Sequence, residues 1–255
     1  MQPLDELKQT LRRIFSLHED SASHEEIRER ILAGGQVTGT NMCVLICAIL
    51  IASVGLNTGS AAVIIGAMLI SPLMGSLLAL AYGTVSGDKA QFERNTLGFA
   101  FQVIVSLLVS TLYFILSPVN APSAELLART APGFFDVIVA VAGGFAGIIG
   151  NTRRDKANNV IPGVAIATAL MPPLCTCGYS LAHQEWRMLL GAAYLFTVNC
   201  YFIYMSAAVV LSLLSIPRVE KLTDRQWRKM RRKMIRNTIL IVIPSVIFTF
   251  EIAKH

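Results

Sequence analysis

The sequence predicts an all-α, polytopic membrane protein of about seven transmembrane helices, on three observations. Met42 to Gly87 contains no Asp, Glu, Lys or Arg, a run long enough for two crossings and a short turn. The composition, 54% hydrophobic against 15% charged with a mean hydropathy of +0.58, is unlike that of a soluble domain. Two apolar stretches about a hundred residues apart are interrupted by proline, at Ser71-Pro72 and at Met171-Pro172-Pro173. In hydrocarbon a missing backbone donor cannot be replaced by water, so neighbouring protein must compensate.

The elements follow in order. Residues 1–40 form a polar arm, which predicts no cleavable signal peptide. Leu4, Leu7, Leu11, Ile14 and Phe15 make a helical stripe opposite Asp5, Lys8 and Arg12. Ser23-His24-Glu25-Glu26 has the form of a capping box, opening a second helix with Ile27, Ile31 and Leu32 and a stop at Gly34-Gly35. The seven charges from Glu19 to Arg30 keep this arm from deep insertion, on the cytoplasmic surface or packed under the bundle.

Apolar segments of membrane-spanning length lie at roughly 41–57, 60–85, 96–117, 134–150, 160–182, 188–214 and 238–253. The first three and the next three look like two copies of one unit, 41–117 and 134–214. Each has a plain helix, a Pro-interrupted helix, a polar link (Asp88–Asn95 or His183–Arg187) and a third helix. Aligned at an offset of 101, the segments Val63-Ile-Ile-Gly-Ala-Met-Leu-Ile-Ser-Pro-Leu-Met-Gly75 and Val164 to Thr176 share 5 of 13 positions, Pro72 with Pro173 among them. A three-span unit must reappear upside down, so the expectation is a 3+3 inverted repeat with Pro-broken second and fifth helices plus one extra helix at 238–255. Interrupted helices in corresponding places mark a transporter site at the repeat interface.

Charge sets the expected orientation. The segments at 1–40, 86–95, 151–159 and 215–237 hold 19 of the 22 Lys and Arg; the alternate segments hold Arg129, Arg187 and Lys254. The positive-inside rule puts the N-terminus in the cytoplasm and the C-terminus outside the cell's inner (plasma) membrane. Topology thereby accounts for the net charge of +6, and no nucleic-acid partner is expected. The basic linker 215–237, with nine basic residues between Arg218 and Arg236, suits anionic lipid headgroups at the cytoplasmic face.

Asn41-Met-Cys-Val-Leu-Ile, Ile51-Ala-Ser-Val-Gly-Leu and above all Gly66-Ala-Met-Leu-Ile-Ser-Pro-Leu-Met resemble the bacterial and archaeal hydrophobic membrane proteins grouped as domain of unknown function 389. The resemblance covers roughly residues 35–215. It implies a membrane protein and carries no activity.

The candidate site residues are Ser71, Pro72, Pro172 and Pro173, with Asn57 at the turn after the first span and the mid-span amides Gln102 and Asn199. Carbonyls freed one turn before a proline coordinate cations, and a half-helix N-terminus faces anions. Against this stand packing kinks for the prolines and plain interhelical hydrogen bonds, about 0.6 kcal/mol each, for the amides. Asn151, Asn158 and Asn159 form the cytoplasmic counterpart of the Asn57 turn. Asp136 and Glu251 lie near span ends and no ionisable group sits centrally, which disfavours proton coupling. Cys43 with Cys47, and Cys175 with Cys177, permit a soft-metal site or are small apolar residues; no metal and no cofactor is expected. Gly143 and Gly147 allow close helix crossing. No nucleophile–base pair, zinc motif or phosphate loop is present, so no enzyme is expected. The reading is a transporter or channel for a small solute or ion, in a homo-oligomer. The alternative is a membrane scaffold or lipid-interacting protein acting through its basic faces.

Overall fold

The computed structural model describes residues 21–119, 121–131, 133–154 and 160–219, the side chains of 160–169 excepted, together with Arg232 and Arg236. The expected stripe at Leu4–Phe15, Asn158, Asn159, most of the basic linker and the seventh span at 238–253 lie outside these residues. The described residues are helical, with one isolated bridge between Ser21 and Arg153.

The first helix, α1 (His24–Gly35), starts where the capping box predicts: Glu26 N donates to Ser23 Oγ at 3.3 Å and Ser23 N to Glu26 Oε2 at 3.1 Å. It is followed by α2 (Gly39–Asn57), α3 (Ala61–Ile70), α4 (Leu73–Ser86) and α5 (Lys89–Leu116). A short α6 (Ala124–Leu127) lies in the connection to α7 (Phe134–Thr152), and α8 (Val160–His183) and α9 (Trp186–Leu213) complete the bundle. Helices α2, α5, α7 and α9 are each long and apolar enough to cross a membrane, and α3 with α4, bent by 47° at their junction, make a fifth candidate. The segment 89–95, expected as a polar link, is instead the first turns of α5, because Asp88 caps it by accepting from Gln91 N at 3.0 Å.

The break at Ser71-Pro72 is real and the one at Pro172-Pro173 is not. After Ile70 the chain leaves the helix, with Ser71 extended and Pro72 as N-cap of α4. Helix α8, expected to be broken, runs through both prolines as one helix of 24 residues. Pro172 and Pro173 offer no N–H to the carbonyls a turn earlier, but packing on α5, α7 and α9 keeps the helix continuous, and Thr176 Oγ1 donates to Pro172 O at 2.8 Å.

Helix α5 shows what surrounds the bundle. Leu97, Ile104, Leu108, Leu112 and Ile115 are 55–73% exposed, whereas Gln102, Ser106 and Ser110 on the other side of the same helix are fully buried. Water would favour the reverse arrangement, so this apolar stripe belongs against lipid hydrocarbon. On the buried polar side Ser53 Oγ pairs with Ser110 Oγ at 3.2 Å, Ser110 Oγ donates to Cys175 O at 3.1 Å, and Ser76 Oγ donates to Gln102 Oε1 at 2.8 Å, while Gln102 Nε2 is buried without a partner among the described residues.

Two ends of the bundle can be told apart. One gathers α1, the ends of α4, α7 and α9, and their ties: Ala22 N to Thr152 O at 2.7 Å, His24 Nε2 with Leu214 O at 3.3 Å, and Val219 N to Ser86 O at 2.8 Å. This is the α1 face. The loop face, opposite, gathers the end of α2, residues 121–131 and the starts of α7 and α9. There Ser123 Oγ donates to Leu56 O, and Thr130 lies so close to Gly191 that a Cβ on that glycine would meet its carbonyl.

Helix α1 packs under the bundle. Ile27 and Ile31 are each 1% exposed, and burying an isoleucine from water contributes roughly 1.5–3 kcal/mol. The approach to α4 is as close as backbones allow: a Cβ on Gly75 would overlap the Gly34 carbonyl. Gly144 plays the same part between α7 and α9, its missing Cβ leaving room for Ile203 and Ser206 within one chain. Gly75→Ala is therefore expected to lower the melting midpoint in detergent, by the roughly 1–3 kcal/mol that overpacking costs, and to open the α1–α4 contact to protease. Gly66→Ala, where a Cβ meets nothing within 4 Å, is the control and should be neutral or stabilising.

Candidate functional site

Two clefts enter the bundle from opposite ends, and each reaches one of the two proline segments. The first, about 470 Å³, opens on the α1 face between α1, α2, α4 and α7, with Arg30, Asn41 and Asn151 towards its mouth and Ser71, Pro72 and Gly75 deeper in. The second, about 280 Å³, opens on the loop face beneath residues 121–131, with Glu125, Arg129 and Asp136 towards its mouth and Met68, Pro173 and Asn199 deeper in. Depth follows from position along the helices: Ala61 starts α3 while Met68 is eight residues in, and Pro173 and Asn199 are each the fourteenth residue of their helices. Pro173 lies ten residues before the loop-face end of α8 at His183, and Asn199 lies thirteen residues after the loop-face start of α9 at Trp186. At 1.5 Å per residue that is about 15 and about 20 Å from the loop-face ends, towards the middle of a hydrocarbon core.

The break between α3 and α4 separates the clefts. Met68 lines the loop-face cleft and Ser71, three residues on, lines the α1-face cleft. Its polar groups are partly served from within: Ser71 N donates to Met68 O at 3.3 Å and Leu73 N to Ser71 Oγ at 3.4 Å. The sequence pattern marked this place because proline after serine ends a helix.

Of the sequence-predicted residues, Ser71 and Pro72 meet in one cleft, and Pro173 and Asn199 meet in the other. Pro172 is buried in α8 with its carbonyl engaged by Thr176. Gln102 ties α5 to the first turn of α4 through Ser76. Asn57 joins the end of α2 to the end of α5, Nδ2 donating to Ser117 Oγ at 2.6 Å. Gln102 and Asn57 thus hold helices together, while the Pro172–Thr176 bond stays within α8. Cys43 and Cys47 are exposed on α2, whereas Cys175 and Cys177 are buried in α8. Among the described residues no three His, Cys, Asp or Glu side chains gather as metal ligands.

Sequence reasoning missed Arg129, which entered only as a charge between spans. Tertiary structure brings it to the cleft. Ser123 caps α6 through Leu126 N at 3.2 Å, Leu126 is fully buried as an anchor, and the short helix carries Glu125 and Arg129 over the opening. Arg129 Nη2 lies 3.7 Å from Glu125 Oε2, an ion pair too long for a hydrogen bond. Asp136 is held beside them by capping its own helix, its Oδ2 accepting from Gly133 N at 2.7 Å. The walls between these charges and Asn199 are apolar: Ile64, Ile65, Val139 and Leu195. A few polar groups converging in an apolar cleft are the usual form of a small-molecule site.

The chain is 26% identical over 211 residues to Uncharacterized protein MJ0678 of Methanocaldococcus jannaschii, an alignment covering 82% of this chain and 64% of that relative. The chain thus spans less than two thirds of the length of the relative it matches. No solved structure matches it. The family described as domain of unknown function (DUF389) matches residues 68–205, which hold the break, both deep prolines and the whole loop-face cleft apart from its α3 wall, and the chain belongs to that family.

Proposed function

We propose that the chain is an inner-membrane transporter or channel for a small solute or ion, its path formed by the two clefts and interrupted at the α3–α4 break. The observation that carries this reading is that the clefts approach from opposite ends and reach Ser71-Pro72 and Pro173. A scaffold has no need of two such openings, and a path closed at its centre is what alternating access or gating requires. The orientation is N-terminus inside, as the Lys and Arg distribution indicates. The α1-face cleft then opens to the cytoplasm.

The reading takes α2–α5 and α7–α9 as an inverted repeat, and helix lengths and packing support it. Helices α2 and α7 both have 19 residues, and α5 and α9 both have 28. Gln102 and Asn199 each occupy the fourteenth position of the longer pair, which run in opposite directions between the faces. The third helix of each unit packs on the second of the other, α5 on α8 and α9 on α4. On this reading the seventh span is an accessory or oligomerisation helix, and the basic linker meets anionic lipid.

Two outcomes are expected. In a cysteine-free background in sealed cells, a membrane-impermeant thiol reagent should reach Ser123→Cys from outside and Arg153→Cys only after permeabilisation; the reverse would overturn the orientation and with it the direction of the clefts. In inside-out and right-side-out vesicles, Ser71→Cys should react from the cytoplasmic side and Asn199→Cys from the outer side. If neither reacts from any side, no aqueous path exists and the scaffold reading replaces transport. Pro72→Ala should restore a continuous hydrogen-bonded helix and reduce the reactivity of Ser71→Cys severalfold while the protein stays folded.

A further inference from the structure

We propose that residues 121–131 are a hinged lid over the loop-face cleft, latched by Leu126, whose opening admits solute from that side. The proposal rests on the transport reading and adds a moving part to it. The segment is fixed near both ends and lightly held between them. At its start Ser123 Oγ donates to the Leu56 carbonyl, at the end of α2. At its far end the Thr130 carbonyl lies against α9, in the space left by the missing Cβ of Gly191. Between these points Leu126 is the one buried residue of 121–131, and its neighbour Leu127 is 51% exposed. A segment that rests on a single buried side chain belongs to the low end of local stability. Beneath it Asn199 lines the deep end of the cleft and is only 4% exposed, so a molecule entering from the loop face passes the lid to reach it.

The charges of the lid oppose its latch. Glu125 and Arg129 turn towards the cleft, with side chains only 30% and 32% exposed. Swung outward, both would be fully hydrated, so the closed position has a cost. That cost is concentrated at Arg129, whose Nε is buried and finds no acceptor among the described residues. Glu125 does not relieve it, because its Oε2 stands 3.7 Å from a different nitrogen, Nη2. An unmet buried donor destabilises the closed lid by an amount of the same order as the burial of one leucine stabilises it. Lifting the lid lets water reach Nε and removes the penalty at the moment Leu126 is exposed. The two effects sit three residues apart and nearly offset each other, so a small change at either residue shifts the balance between closed and open.

The test uses the full-length, cysteine-free protein in sealed vesicles, with Asn199→Cys as the reporter beneath the lid, Ser71→Cys as the reporter in the other cleft, and a membrane-impermeant maleimide. Leu126→Ala should raise the rate at Asn199→Cys from the loop-face side at least about tenfold, the rate following the open population. Ser123→Ala, which frees the start of the lid, should raise it severalfold and tests the proposal even if Leu126→Ala does not fold. Arg129→Met, which removes the unmet donor and keeps an apolar stem, should lower the rate severalfold. The rate at Ser71→Cys from the α1-face side should stay the same in all three. Equal rates across the variants, a faster rate in Arg129→Met, or a parallel rise at Ser71→Cys would overturn the lid. The two claims separate cleanly. Ser71→Cys reactive with Asn199→Cys indifferent to every lid variant removes the lid and leaves the transport reading. Asn199→Cys responding as expected while Ser71→Cys is silent from both sides leaves the lid and removes a path through the membrane.

Discussion

Everything in this structure depends on a constraint that water normally relaxes: inside hydrocarbon, each backbone or side-chain polar group must find its partner within the protein. Helix α5 meets most of it by turning Gln102, Ser106 and Ser110 inward and Leu97, Leu108 and Ile115 outward, with Gln102 Nε2 and Thr111 Oγ1 left unpaired among the described residues. The inward groups then bond across the bundle, to Ser76 on α4, Ser53 on α2 and the Cys175 carbonyl on α8. The core is accordingly stitched by hydroxyls and one amide, with small residues allowing the approach. Gly178 is part of the same seam, since a Cβ there would collide with Ser110.

The same constraint explains why two proline segments have different fates. At Pro72 the chain has just left α3, so the lost donor falls at a helix start, where a free N–H would have lacked an intrahelical partner anyway. The break is inexpensive there, and it is what divides the two clefts. At Pro172 and Pro173 the helix continues on both sides, flanked by α5, α7 and α9. Close neighbours make departure from the axis more costly than two missing hydrogen bonds, and Thr176 keeps the Pro172 carbonyl engaged.

The loop-face cleft owes its form to an element with almost no sequence signature. Residues 121–131 are held by one hydroxyl cap at Ser123, one buried Leu126 and the space that Gly191 leaves for Thr130. Together these carry two charges over the ends of α3, α7 and α9. The α1 face is closed differently, by a whole amphipathic helix whose Ile27 and Ile31 seal against α4 and the end of the bundle. An entrance covered by a short charged segment and one flanked by a packed helix are unequal in rigidity, since the first rests on far fewer buried apolar groups.

The sequence by itself determined the helical class, the membrane environment, the α1 capping box and the limits of most described helices. Hydrophobic runs, caps at Ser23 and Asp88 and prolines act through neighbours a few residues away. It also marked Ser71, Pro72, Pro173 and Asn199, because a polar group or a proline in an apolar run is conspicuous. Only the tertiary structure decided that Pro173 does not break its helix, that Asn57 and Gln102 are helix ties, and that Arg129 belongs to a cleft. Those outcomes turn on which side chains meet across the bundle, between residues far apart in the chain, as with Ser76 and Gln102, 26 positions apart, and His24 and Leu214, 190 apart. Local pattern carries no record of such meetings, because the energy that sets them is shared among packed surfaces and belongs to no single segment.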